Sequence, residues 1–274
     1  MSRSAISRRA RDGLWERQLP GVYRVVGAPI SERQVAMGAA LWAGEGAVVS
    51  HGTAGVLWGI DGVRGPKTEV WVPAPRNRKH DLVVVHRGTR VDRTDRASLG
   101  PIPITTPVRT LIDVAGRLED DRLLAAMESA FRQGLATPER LAARLAALRS
   151  SGRPGSGRLE QLLEHRGDGR PLESALEGKV WLLLSRSRVP RPARQHWVAT
   201  AGGRYRLDFA WPDRKLGLEC DGWEAHGDRV AFGKDRERLS EMVALGWRVL
   251  LVTWEVGTRQ PQRVMRWVET ALAA

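Results

Sequence analysis

The stretch from Arg204 to Gly222 (RYRLDFAWPDRKLGLECDG) most narrows what this chain can build. Leu207, Phe209 and Trp211 alternate, as do Leu216, Leu218 and Cys220, and Pro212-Asp213 lies between them, which predicts two short strands around a tight connection. Side chains on a strand alternate faces, so turning those apolar residues to the core puts Asp208, Glu219 and Asp221 together on the opposite face. A connection formed by Pro212 to Lys215 pairs Trp211 with Leu216 and sets Asp208 across from Glu219. Opposed like charges destabilise a sheet unless a cation lies between them or one carboxylate takes up a proton. An oxygen-rich cluster of this kind suits a hard divalent cation such as Mg²⁺ (or Mn²⁺). The alternative is three acids on the solvated face of an amphipathic hairpin.

These acids are concentrated in a chain of net charge +13, with Gly222 and His226 close behind. Lys+Arg 44 against Asp+Glu 31 implies attraction to a polyanion, nucleic acid first, an arginine-rich composition without a ligand being the alternative. The length of 274 residues suits two domains, and 42% hydrophobic residues suffice for ordinary cores. Cys220 is the single cysteine, which excludes an intramolecular disulfide and a Cys-rich zinc site and fits a reducing cytoplasm. No apolar run reaches membrane-span length and the N-terminus lacks a signal-peptide core, so no membrane partner is expected.

Ser2 to Asp12 predicts a basic helix carrying Arg8 and Arg9, and Gly21 to Val26 follows like a wing. Such a pair is the second half of a winged helix-turn-helix, with no room for its usual first helices; the unit is then truncated or its start misplaced, and a frayed basic terminus is the alternative. Helices are expected over Ser31–Ala43, Ser50–Gly59 (Ser50 as N-cap), Thr105–Ala115, Asp120–Gly134 and Pro138–Leu148, with strands over Thr68–Val72 and Asp81–Arg87. The basic loop Arg76 to His80 joins those strands as a solvated turn or a phosphate contact. This half offers no evident catalytic constellation, and His51 is read as capping or packing.

Ser150 to Gly157 is a Pro-Gly-Ser connector, with a bridging helix over Arg158–His165. No Lys-Ser/Thr follows it, so it is not a phosphate-binding loop. The domains are expected at 1-28 (partial winged helix), 29-149 (α+β), 150-170 (linker and bridging helix) and 171-274. The last begins at Ser174-x-x-Glu177, a capping-box pattern. After it come a helix, three strands, a helix, the strand Trp247–Trp254 and a final helix, covering one sheet face and leaving strand ends free for a cleft.

Gly21 to Arg24, Ser50-His51 with Leu57-Trp58-Gly59, and Thr105 to Asp113 resemble proteins grouped with AbiEi-type antitoxins of abortive-infection systems. From Ser174 to Trp254, the motifs Ser174-x-x-Glu177, Asp208-Phe209, Glu219-x-Asp221-Gly222 and Asp235-Arg236 resemble uncharacterised domains related to very-short-patch-repair endonucleases of the PD-(D/E)XK superfamily. That resemblance implies an α/β restriction-endonuclease-like fold with a mixed sheet flanked by helices. It assigns metal binding to Asp208 and Glu219, with Glu177 completing the site. Asp221 stands where the superfamily carries a Lys and the repair enzymes a His, and His226 matches a second His of theirs, a candidate acid or base or an ordinary polar residue. Arg236 and Arg238 brace the helix or touch phosphate, and Arg204 and Arg206 would neutralise a nucleic-acid backbone.

The expected activity is therefore phosphodiester hydrolysis, with DNA as the first substrate and a metal-bound hydroxide or His226 activating the nucleophile. The alternative is a non-catalytic DNA-binding regulator or antitoxin with a degenerate nuclease domain, acting with a cognate toxin protein. Neither requires an organic cofactor. Fold resemblance alone does not choose between them.

Overall fold

Ser31, Thr106, Thr137 and Ser174 each open a helix by accepting a backbone N–H from the residue three positions on, and Pro107 and Pro138 occupy first-turn positions where no N–H is needed. The computed structural model describes residues 2–74, 78–88, 91–148, 154–165, 174–221 and 229–274, with the backbone alone for residues 3, 165, 175, 221 and 229–236. The architecture is mixed α/β, in two units, Met1–Leu163 and Glu164–Ala274.

In the first unit, helix α1 (Arg3–Arg11) leads into a hairpin of β1 (Trp15–Leu19) and β2 (Val22–Val25), turned at Gly21 with φ +83. Then follow α2 (Glu32–Ala43), β3 (Val48–Val49), α3 (His51–Leu57), β4 (Thr68–Pro73), β5 (Val83–Gly88), β6 (Arg96–Leu99) and β7 (Ile102–Thr105). Helices α4 (Pro107–Val114), α5 (Asp120–Arg132), α6 (Pro138–Ala147) and α7 (Ser156–His165) complete it. The sheet runs β5-β4-β3-β7-β6, with β4/β5 and β3/β7 parallel and the other pairs antiparallel. One face is sealed by α2, whose Ala39, Trp42 and Ala43 pack on Val70, Val72 and Val83. Alternation along β4 then sends Glu69 and Trp71 to the opposite face. Helix α7 is anchored here: Arg158 donates to Asp120 and to the Leu118 carbonyl at 2.7 Å each. Of the basic loop and the connector expected from sequence, residues 76–77 and 150–153 lie outside the described residues.

In the second unit, α8 (Ala175–Ser185) precedes β8 (Ala193–Thr200), β9 (Gly203–Trp211) and β10 (Leu216–Asp221). Helix α9 (Arg229–Ala244), β11 (Arg248–Thr253), α10 (Trp254–Arg259) and α11 (Pro261–Ala273) follow. The sheet order is β11-β10-β9-β8, with β10/β11 parallel and the rest antiparallel. Trp211 pairs with Leu216, as a four-residue connection requires, and Lys215 takes the left-handed conformation that closes the turn.

The facing of β9 corrects the expectation that Leu207, Phe209 and Trp211 share one side. Phe209 pairs with Leu218 and stacks on Trp181 of α8 at 6.1 Å. Leu207 packs instead with Val198, Ala210, Met242 and Trp247, and a Cβ on Gly217 would meet its side chain at 2.7 Å. Since Gly217 and Leu218 face opposite ways, the alternation breaks at Asp208. On the neighbouring strand the break is matched at Gln195, which has φ +50. Helices thus cover both sheet faces, α8 over Phe209 and α9 over Leu207, not one as expected. The expected strand to Trp254 stops at Thr253, whose hydroxyl caps α10. No described helix is long and apolar enough to cross a membrane.

Candidate functional site

The sequence-predicted acids approach Cys220 from different elements. Burial pushes the Cys220 thiol well up, and the charges of Asp208, Glu177 and Glu219 add to the effect. The β9–β10 ladder runs from Trp211↔Leu216 to Phe209↔Leu218, one pair short of Asp208 and Glu219. Beyond it, Asp208 Oδ2 accepts the Cys220 N–H at 2.8 Å. Glu219 shares the face of Gly217 and is ion-paired with Arg238 of α9. Glu177, buried in the first turn of α8, has its N–H capped by Ser174 Oγ at 3.1 Å, and its carboxylate accepts from Gln195 Nε2 at 3.0 Å. Together these three acids do not bring ligand atoms within 4.8 Å of one another. The backbone of Asp221 ends β10 opposite Thr253, while its side chain, all of His226 and the side chain of Arg236 lie outside the described residues.

The predicted basic residues divide by place. Arg204 and Arg206 lie over the exposed Trp197 ring, at 5.2 and 5.7 Å from its centroid. Arg238 braces α9 to β10 through Glu219. Arg8 and Arg9 are exposed on α1, with the Arg9 guanidinium 5.0 Å from the centre of the Trp15 ring.

A constellation that the sequence reading passed over lies in the first unit. Glu69, only 1% exposed, sits where β4 meets the start of α3. Its carbonyl accepts the Ser50 N–H at 3.1 Å, its own N–H donates to Thr53 Oγ1 at 2.9 Å, and its Oε1 accepts the Gly52 N–H at 3.2 Å. On the parallel strand β5, Trp71 pairs with His86, which places His86 on the same face as Glu69, and His86 Nε2 lies 2.7 Å from Glu69 Oε2. Arg117 adds an ion pair to the same oxygen. Burial alone would raise the Glu69 carboxyl, but the hydrogen bonds from His86 and Arg117 outweigh it and hold it low. The His51 ring stacks on His86 with centroids 3.5 Å apart and planes 14° from parallel, while its Nδ1 contacts Ser50 Oγ at 2.9 Å. Burial, reinforced by His86, pushes His51 down to about 3, so its ring is neutral at pH 7. Ser50 thus holds the N-cap position without its side chain capping the helix, and His51 begins α3 with φ +51, a strained value for a residue with a Cβ. A glutamate inside the apolar run of β4 was the available signal, because a buried carboxylate must be paired.

Below this lies a second buried network. Arg109 of α4, inside the Thr105–Asp113 motif, donates to Asp95 at 2.7 Å and to Asp113 at 2.8 Å, and Arg144 of α6 also donates to Asp95. Thr105 and Thr110 share a hydroxyl contact of 2.7 Å. The motif is a clamp between the β6 entrance and two helices.

Residues 47–165 match the AbiEi antitoxin C-terminal domain. Of the motifs that carry the sequence resemblance, Ser50-His51, Leu57 to Gly59 and Thr105 to Asp113 fall inside this match and Gly21 to Arg24 lies outside it; both networks, from Ser50-His51 through Glu69, His86 and Arg109 to Arg144, also fall inside it. The region also takes in α7, which packs with the first unit. The whole chain is similar to two Mycobacterium tuberculosis proteins, the uncharacterized protein Rv2248 of strain H37Rv and the uncharacterized protein MT2308 of strain CDC 1551 / Oshkosh. Each is 29% identical over 267 residues, covering 96% of this chain and 94% of the relative. The AbiEi match stops at residue 165 and does not extend over the second unit.

Proposed function

We propose that this chain is a DNA-binding regulator of the antitoxin type that pairs with a cognate toxin protein. The AbiEi antitoxin match over residues 47–165 carries the reading. The exposed arginines of α1 beside the β1–β2 hairpin, in a chain of net charge +13, support backbone contact with a duplex. The second unit then serves recognition without turnover. Its order of helix, three strands, helix and strand, with acids on α8, β9 and β10, supports kinship to PD-(D/E)XK nucleases. Among the described residues its carboxylates suit Mg²⁺ or Mn²⁺ in kind but not in arrangement: Glu219 is held by Arg238, Asp208 takes a backbone N–H, and Glu177 meets Gln195. As arranged they tie α8 and α9 to the sheet.

Fluorescence anisotropy with a duplex from the gene's own upstream region, and with an unrelated duplex, tests this in Mg²⁺, Mn²⁺ and EDTA. Binding is expected without metal, falling steeply as salt rises and weakened in an Arg8→Ala, Arg9→Ala double variant. Failure to bind any DNA at low salt sinks the proposal. Strand cleavage that disappears in EDTA and in Asp208→Ala replaces it with phosphodiester hydrolysis.

A further inference from the structure

We infer that His51, Glu69 and His86 form a binding site for a divalent transition-metal ion of the Zn²⁺ type. Among the described residues this is the one group of three whose ligand atoms all lie within 4.8 Å of one another. Two imidazole nitrogens and one carboxylate oxygen make a donor set that selects Zn²⁺ and its borderline neighbours over Mg²⁺ or Ca²⁺, and three protein ligands leave a position open.

The carboxylate is fixed in place. Gly52 N–H holds Oε1, and a Cβ on Gly52 or Gly65 would reach that oxygen at 2.9 or 2.6 Å, so the walls around it leave no room to swing away. Oε2 is left for a cation. The approach to it is open, because the His86 side chain is 24% and that of Arg117 45% exposed. His51 is oriented by Ser50 through Nδ1, which leaves Nε2 for a metal, and outer contacts of that sort are what ligating histidines require. His51 holds a strained φ of +51 with its ring stacked on that of His86, so the surrounding structure fixes it there.

In the structure the cation at Oε2 is the Arg117 guanidinium, and the two rings are stacked nearly parallel. Parallel stacked rings cannot both aim in-plane lone pairs at one ion. Metal entry therefore turns the partly exposed His86 ring and displaces Arg117, and the ion and Arg117 compete for Glu69.

The competition supplies the test. The full chain, stripped with a chelator, is titrated with Zn²⁺ by calorimetry and with Co²⁺ by visible absorption. One equivalent is expected, with a nitrogen-ligand Co²⁺ spectrum, and no response to Mg²⁺ at this site. Arg117→Ala keeps every ligand and removes the competitor, so it should tighten Zn²⁺ binding by about tenfold, the effect of one lost competing contact. His86→Gln can still donate to Glu69 but should lose the equivalent with an unchanged circular dichroism spectrum, whereas Asp208→Ala should leave it intact. No stoichiometric Zn²⁺, an equivalent that survives both His86→Gln and His51→Gln, or Arg117→Ala binding no tighter than the wild type each overturns the site. Because Arg117→Ala replaces none of the three ligands, the inference stays testable even if an imidazole variant fails to fold.

Discussion

Asp208 Oδ2 accepts the backbone N–H of Cys220 at 2.8 Å, so a side chain completes the sheet at the point where the β9–β10 ladder ends. A carboxylate in that position does structural work whether or not it also meets a ligand. Removing it leaves a part-buried donor without its partner, which costs about 1–3 kcal/mol. Asp208→Ala should lower the urea midpoint accordingly, and Asp208→Asn, which keeps an acceptor oxygen, should lose less. An Asp208→Ala protein that unfolds at the wild-type midpoint would show that water replaces the carboxylate.

The Glu219–Arg238 pair joins β10 to α9, with side chains 13% and 30% exposed. Solvent screening at that exposure limits its worth, and a double-mutant cycle on Glu219→Gln and Arg238→Met should give a coupling of about 0.5–1 kcal/mol. The coupling should shrink at high salt. A coupling near zero would mean that Arg238 does not secure Glu219 and would reopen the metal reading of the second unit.

Acid should loosen the first unit through Asp95. Burial pushes its carboxyl up, but hydrogen bonds from Arg144 and Arg109 outweigh that and hold it below the ordinary carboxylate value. A depressed folded value means the unfolded chain binds the proton first, so this contribution is fully present above about pH 4 and is lost as pH falls through the folded value. His51, held neutral, adds a loss over a higher window, from its ordinary 6.5 downward to about 3. The two separate by mutation: Arg144→Met should flatten the part of the stability curve below about pH 4 and leave the slope above it. If Arg144→Met shifts the whole curve without changing its shape below pH 4, Arg144 is not what holds Asp95 low.

Local chemistry made much of this fold readable. Ser31, Thr137 and Ser174 announce helix starts, and Pro212 to Lys215 fixes the register of β9 with β10. What stayed hidden depends on tertiary packing. Strands β3, β6 and β7 are two to four residues long, too short for a periodicity to form. The break at Asp208 lies opposite the left-handed Gln195 on the neighbouring strand, a match that no pattern within β9 encodes. The acids were legible as a group because they lie close in sequence, but their partners, Arg238 on α9 and Gln195 on β8, were not. His51, Glu69, His86 and Arg117 are spread over three elements and a turn, and only the parallel pairing of β4 with β5 brings two of them together.

Two glycines with opposite surroundings give the last prediction. Gly52 lies in α3 with a Cβ direction blocked by the Val63 carbonyl at 2.6 Å, Gly65 N at 2.8 Å and Glu69 Oε1 at 2.9 Å. Two of these are backbone atoms that cannot swing aside, so Gly52→Ala must shift the chain, at a cost of about 1–3 kcal/mol, and must displace the Glu69 carboxylate from His86. Gly157 lies in α7 with nothing within 4 Å of the added carbon. There, in the first turn of the helix, alanine mainly restricts the unfolded chain, a gain of about 0.4–1 kcal/mol. Chemical denaturation of both variants should move the midpoint in opposite directions, and the imidazole proton resonances should change in Gly52→Ala alone. A Gly52→Ala protein as stable as the wild type, with its histidine resonances in place, would mean that Glu69 is not wedged by the chain around it.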